Sequence, residues 1–411
     1  MISKQFFAVQ PIDTTLANLF QNIKPLEKSE MLQTIATINR VLITPLQSPI
    51  DLPAFHRSTM DGYAVKAADT FGATDALPSY LQVIGQVHMG EVPSLTIQSG
   101  EAAEIHTGAM IPSGADAVVM IERTQLVGTG ALEVLAPVAH GENIIQLGED
   151  IEKDSEALPV GHRIRPQDIG GLLAVGIQEV EVMQKPRIAI LSCGDELVEV
   201  QQTPQLGQIR DINSYMLMAL CHEMGADAVR LGIARDTLDS LSALARQGLA
   251  EYDMLILSAG SSVSTRDLTY DVVNELGKPG ILQHGLAVKP GKPTIVAACD
   301  GKPVIGLPGN PVSAMLVARQ VLVPIIRYLL GEAQKPIATV GATLIQNIAS
   351  TSGREDSIPV RLHKTDIGHN AEPIWGKSNL IYTLLKADGL IHVPLNTSGY
   401  PSGTLVDVRL F

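Results

Sequence analysis

At 411 residues the chain is too long for one hydrophobic core, so roughly two to four domains are expected. With 45% hydrophobic residues, 18% charged residues and a formal net charge of −13, it is a folded globular protein without an extended nucleic-acid surface; any anion site must be a local positive island. Three scattered cysteines (Cys193, Cys221, Cys299) exclude a disulfide framework or a structural zinc, and no run of about 18 apolar residues occurs, so a soluble cytoplasmic protein without membrane or nucleic-acid partners is expected.

Residues 13–45 read as helical. Leu16, Leu19, Phe20 and Ile23 share one face, and a second helix is expected over Glu27–Ile38. Pro45, Pro49 and Pro53 make the following segment extended. Asp61-Gly62 then reads as a simple hairpin turn. Residues 80–140 alternate apolar and polar in short runs broken by Gly and Pro, as in a small all-β domain. Gly170–Gly176 reads as the end of a helix capped by Gly176.

From Pro186 the pattern changes. Strands at Ile188–Ser192, Ala228–Ile233 and Met254–Ser258 alternate with helices at Asn213–Met224, Thr237–Ala250 and Leu268–Leu276. Such alternation predicts a parallel sheet covered on both faces, with ligands beyond the carboxyl ends of its strands. Beyond those ends stand Gly194-Asp195-Glu196, Arg235-Asp236, Gly260-Ser261-Ser262 leading to Arg266-Asp267, and a turn at Pro308–Ser313.

That last turn belongs to the most informative stretch, Lys289–Leu330. Two apolar runs flank Asp300-Gly301, as in a hairpin. Asn310-Pro311 then suits an N-cap followed by a first helical residue, and Gly331 is placed to stop the helix. A helix start suits an oxyanion, Ser313 adds a hydroxyl, and Lys289 and Lys292 stand one hairpin away. The plainer alternative is a capped core helix with two surface lysines. Residues 337–411 read as a small β-barrel, with strands at Val340–Ile345, Ile358–Leu362, Leu390–Val393 and Leu405–Leu410.

Carboxylates beside a phosphate site point to Mg²⁺, which takes oxygen ligands. Glu196, Asp236 and Asp267 are the metal candidates, with Asp195 in reserve; helix capping competes as an explanation for Asp236 and Asp267. His106 and His284 lack ligand spacing and read as structural. No dinucleotide glycine motif, nucleophile elbow or P-loop lysine is present.

Taken together, Ser58-Thr59-Met60-Asp61-Gly62-Tyr63-Ala64-Val65, Thr107-Gly108-Ala109, Gly148-Glu149-Asp150-Ile151, Gly194-Asp195-Glu196-Leu197, Lys289-Pro290-Gly291-Lys292-Pro293 and Gly306–Ser313 resemble, in order, the motifs of the molybdopterin molybdotransferases, the family of bacterial MoeA and the C-terminal part of gephyrin. The resemblance implies a multidomain α/β plus β fold in a homodimer. A segmented helical linker domain (1–52 and 152–185) would hold an inserted β domain (53–151). A central α/β molybdopterin-binding domain (186–332) with a parallel-type sheet and a C-terminal β-barrel (335–411) would complete the chain.

It also implies Mg²⁺-dependent insertion of molybdate into adenylated molybdopterin with release of AMP. Lys289, Lys292, Pro293 and Ser313 would hold molybdate, helped by Arg354 and Ser378, with Gly309 and Asn310 binding substrate. Asp61, Thr107 and Asp150 would reach across to the partner subunit's Glu196, Asp236, Asp267, Lys289 and Lys292. Asp61 or Asp267 would orient or activate the attacking oxygen, with no general base assigned. Contacts with molybdopterin adenylyltransferase and apo-molybdoenzymes are implied as well. Many members carry Gly-Gly-Val-Ser-Val-Gly where this chain has Gly260-Ser261-Ser262-Val263-Ser264-Thr265. Tungstate insertion, or a non-catalytic molybdopterin carrier or scaffold, are the competing functions.

Overall fold

The computed structural model describes residues 8–128, 130–259 and 263–411, with only the backbone of 263–267. Helix α1 (Ile12–Asn22) buries Ile12, Leu16 and Leu19 as its apolar stripe requires. The second helix expected over Glu27–Ile38 is instead strand β1 (Ser29–Gln33) and a short 3₁₀ turn, Thr34–Ala36. Tertiary pairing overrides helix propensity here: β1 runs antiparallel to a strand distant in sequence, Ser29 opposite Met183 and Gln33 opposite Glu179. Side chains bridge the pair, Ser29 Oγ donating to Glu181 Oε1 at 2.6 Å and Gln33 Nε2 to Glu179 Oε1 at 2.6 Å.

Between these two paired segments of the chain lies a six-stranded sheet. Its strands are β2 (Gly62–Val65), β3 (Ser79–Val87), β4 (Glu101–Ile105), β5 (Ala117–Met120), β6 (Thr124–Val127) and β7 (Ala131–Val134), in spatial order β5-β2-β4-β3-β7-β6. Alternation sends Tyr63 and Val65 into one apolar cluster and Ala64 into another, so both faces are buried. Asp61-Gly62 is therefore not a hairpin turn but the entry to β2. Gly62 is required by packing, because a Cβ there would lie 1.9 Å from Val119 O.

The chain returns through helix α2 (Pro166–Ala174), ended by Gly176 at φ +83°, and strand β8 (Glu179–Met183), the partner of β1. Asp168 in the first turn of α2 is buried. Burial alone raises its carboxyl, but hydrogen bonds from Arg165 and His162 outweigh that and hold it below the ordinary range.

The α/β unit comes next as β9 (Arg187–Cys193), α3 (Asn213–Glu223), β10 (Asp227–Ala234), α4 (Leu238–Glu251), β11 (Met254–Ala259), α5 (Val263–Glu275), β12 (Pro279–His284), β13 (Ile295–Cys299), β14 (Lys302–Pro308) and α6 (Pro311–Leu329). The sheet order is β10-β9-β11-β14-β13-β12. The first four strands are parallel as expected, while β13 and β12 add an antiparallel edge through the hairpin. Asp300 and Gly301 take φ of +50° and +81°, the conformation a two-residue hairpin turn demands. Helix α6 is long and apolar enough to cross a membrane by composition, yet 61% of that window is buried, so it serves as a core helix. All three cysteines are free and buried.

The remainder closes into a five-stranded barrel of β15 (Thr339–Leu344), β16 (Glu355–Thr365), β17 (Gly368–Pro373), β18 (Gly389–Val393) and β19 (Leu405–Leu410), in order β16-β17-β15-β19-β18 and back to β16. Strand β17 has no legible sequence signal; its Gly, Asn and Pro disfavour strands, and pairing with β16 imposes the conformation. Val288 and Lys289 pair parallel to the start of β16, Lys289 opposite Asp356, and so dock the barrel onto the α/β unit.

Candidate functional site

Strand register assembles the rim. Cys193 is level with Ala234 and Ala259, and Ala259 with Pro308, so the segments after four parallel strands emerge along one edge. Two cavities open there, and another lies beside the start of α6. The first, about 250 Å³, is lined by Pro293, Asn310 and Ser313 together with Thr269 and His284. The second, about 460 Å³, lies between α6 and the barrel and is lined by Lys289, Val312 and Ser378 among others. The third, about 610 Å³, is lined by Cys193, Glu196, Asn213, Gly309 and Asn310.

Asn310 occupies the N-cap position of α6, but its side chain does not cap. Its Nδ2 donates to Ser378 Oγ at 3.0 Å, and the Val312 amide donates to Ser378 O at 3.1 Å. Pro311 has no N–H, so Ser313, buried in the first cavity, is the residue of this turn left to serve an anion. Of the two expected lysines, Lys289 lines the second cavity. Lys292 lines none of the three; its carbonyl accepts from Leu286 N and Thr294 N, both at 2.9 Å, and so fixes the loop. Arg354 donates through Nε to the buried Asp356 at 3.0 Å, which puts it on the strand edge facing Lys289.

The carboxylates gather around Cys193. Its Sγ donates to Asp236 Oδ1 at 3.1 Å, and the Asp236 amide donates to Asp195 Oδ1 at 3.3 Å. Burial first, then Asp236, Asp195 and Glu196, push the Cys193 thiol far up, so the thiol is inert and the local field negative. Gly194 makes room for this arrangement: a Cβ there would lie 2.8 Å from Glu196 Oε2. Asp236 is not a helix cap, since Thr237 takes that position for α4. Asp267 does not precede its helix as expected, because α5 begins at Val263; its side chain, Arg266 and the departing Gly260–Ser262 segment lie outside the described residues. Among the described residues no three His, Cys, Asp or Glu side chains form a metal-holding group.

On the inserted sheet, Gly62 pairs with Ile105, which brings Asp61 beside Thr107 across 46 residues. The Thr107 amide and hydroxyl donate to Asp61 Oδ1 at 2.8 and 3.2 Å, and the amide bond chiefly holds this carboxyl below its ordinary range. Asp150 is exposed and, among the described residues, its side chain makes no hydrogen bond or ion pair to that pair.

Three further residues lie at these sites. His106, expected to be structural, has Nδ1 at 3.6 Å from Asp61 Oδ1; its adjacency to Thr107 was the available signal. His284, expected to be structural too, lines the first cavity. Asn213 is 8% exposed and its Nδ2 donates to Ser258 Oγ and Gly309 O, leaving a buried Oδ1 without a partner among the described residues. It carried no sequence signal beyond starting a helix after an acidic turn.

Known proteins share this architecture. Three family descriptions match in succession: "MoeA N-terminal region (domain I and II)" over residues 10–176, "Probable molybdopterin binding domain" over 189–328 and "MoeA C-terminal region (domain IV)" over 342–411. A putative molybdopterin biosynthesis protein of Methanocaldococcus jannaschii is 36% identical over 392 residues, 93% of this chain and 92% of its own. A molybdopterin molybdenumtransferase of Nostoc sp. is 32% identical over 404 residues, 96% of this chain and 92% of its own. A crystal structure of a molybdopterin biosynthesis MoeA protein from Pyrococcus horikoshii OT3 superimposes with a TM-score of 0.86 at 29% identity, covering 98% of this chain and 100% of that one. The chain therefore belongs to the MoeA family of molybdopterin molybdenumtransferases, transferases of molybdenum cofactor biosynthesis.

Proposed function

We propose that this chain inserts molybdate into adenylated molybdopterin in a Mg²⁺-dependent reaction that releases AMP. The observation that carries this reading is that Asn310 lines both the Pro293–Ser313 cavity and the cavity holding Glu196, while Val312, next to Ser313, lines the cavity holding Lys289. An acidic chain here keeps two lysines, Lys289 and Lys377, in one cavity and Glu196 in another, a pairing that suits an oxyanion next to a metal-bridged phosphate.

The donor set fits Mg²⁺. All donors are oxygens, and Mg²⁺ is commonly held by one or two carboxylates with substrate phosphates and water completing its shell. Glu196 and Asp236 are the residues that would hold it, with Asp267 as the expected third. When bound, the ion neutralises charge developing on the phosphates.

The chain's own groups do the rest. Ser313 and Pro293 seat the molybdate, and Lys289 supplies a compact positive charge at its flank. The Asn310–Ser378 bond ties the barrel to the start of α6 and fixes the spacing between the cavities. Asp61, held ionised by Thr107, lines none of the three cavities of its own chain. A homodimer in which Asp61, Thr107 and Asp150 complete the partner's rim gives these residues a role.

The test is to mix the purified protein with adenylated molybdopterin, Mg²⁺ and molybdate and to quantify AMP. Stoichiometric AMP release that requires molybdate is expected. Tight substrate binding without AMP release would instead show a carrier, and a preference for tungstate would change the oxyanion assignment.

A further inference from the structure

Trp375 is the only tryptophan in the chain, and it is 56% exposed on the loop after β17. Its Nε1–H donates to Gln346 Oε1 at 3.3 Å, which orients the indole while leaving more than half of it uncovered. The loop is held against the following helical turn at Gly376, where a Cβ would meet Thr383 Oγ1 at 2.3 Å.

Trp375 lines two adjoining cavities, of about 460 Å³ and 410 Å³, a size in the range of small-molecule sites. The larger has apolar walls from Val312, Leu316 and Ile358, two cations in Lys289 and Lys377, and no carboxylate among its lining residues. One of its hydroxyls, Ser357 Oγ, already accepts from Gln320 Nε2 at 2.9 Å. Such a wall suits a flat ring carrying an anion and offers little to a ring rich in N–H donors. The 610 Å³ cavity differs: Gln208, Asn213 and Asn379 bring amide groups to its lining, beside Glu196, Asp211 and Arg210. Of the two linings, this one suits the amino group and ring N–H of a pterin better. The hydrogen-bonded pair Asn310–Ser378 stands between the two, since Asn310 lines the pterin-type cavity and Ser378 the tryptophan-walled one.

We infer that Trp375 is the stacking platform for the adenine ring of the adenylated substrate, with Lys377 receiving its phosphate and Lys289 left to the molybdate beside it. This assignment rests on the reaction proposed above and divides that substrate between two subsites. Stacking of a base on an exposed indole is sequence-tolerant, strong and needs only an oriented ring face, which the Gln346 bond provides.

Because the chain has a single tryptophan, its emission reports on this subsite directly. Titrating the full-length protein with AMP, excited at the red edge of indole absorption, should give saturable quenching, with adenosine binding about tenfold more weakly for want of a phosphate. By calorimetry Trp375→Phe should keep AMP affinity within about threefold, whereas Trp375→Leu should lose on the order of tenfold. In turnover Trp375→Leu should raise KM for the adenylated substrate by a similar factor and leave kcat within about twofold. Its melting temperature should be unchanged, since the side chain is mostly in solvent. Unaltered emission on saturation with AMP, wild-type AMP affinity in Trp375→Leu, or quenching by a pterin monophosphate in place of AMP would each overturn the assignment. AMP quenching in a protein that releases no AMP from adenylated molybdopterin would sink the reaction and leave this subsite standing; release without quenching would do the reverse.

Discussion

Asp61→Ala is expected to lower molybdate-dependent AMP release by about a hundredfold or more, the usual scale for removing one oriented charged group from an active site. The side chain is exposed, and its bonds are to Thr107 on a neighbouring strand end, so folding should survive: far-UV circular dichroism and melting should match the wild type. Asp61→Asn separates charge from shape. Its amide oxygen still accepts the Thr107 N–H, yet the negative charge that this N–H stabilises is gone. Loss in both variants assigns the effect to charge; recovery of activity in Asp61→Asn would assign it to the turn. Wild-type AMP release from the alanine variant would refute a role for this sheet in the reaction.

Gly291→Ala is the substitution expected to damage stability most. Gly291 takes φ +107°, and a Cβ there would lie 2.0 Å from Val317 Cγ2, on the core face of α6. Left-handed strain and overpacking against a stiff β-branched neighbour together cost about 3 kcal/mol or more. The loop cannot relax freely, because Thr294 Oγ1 donates to Gly291 O at 2.7 Å and the Lys292 carbonyl takes two amides. Thermal melting should fall by several degrees, and AMP release should fall with it as Lys289 and Pro293 leave their cavities. Unchanged melting would mean that α6 is far more compliant than its burial implies.

The α/β unit was legible because its strands are continuous apolar runs and its helices end at glycines such as Gly225 and Gly331, both at positive φ. The Glu27–Ile38 segment was not. Its local pattern is ambiguous, and the deciding force is pairing with Glu179–Met183, which no window along the chain can see. The same holds at the rim. Motif order placed Ser313 and Pro293 together, since both flank one hairpin, and strand logic placed Asp195, Glu196 and Asp236 on one edge. Side-chain direction was invisible: Asn310 turns to Ser378 instead of capping α6, and Lys292 contributes its backbone to the loop. The surroundings of His106, His284 and Asn213 were not legible, because each faces residues distant in sequence.

The proposed reaction depends on an oxyanion seated at the start of α6. Soaking crystals of the protein with tungstate and mapping the anomalous signal tests this most directly. A peak in the cavity between Pro293 and Ser313, with Lys289 at its flank, is the predicted result. A well-occupied peak elsewhere, with that cavity clear, would contradict the account.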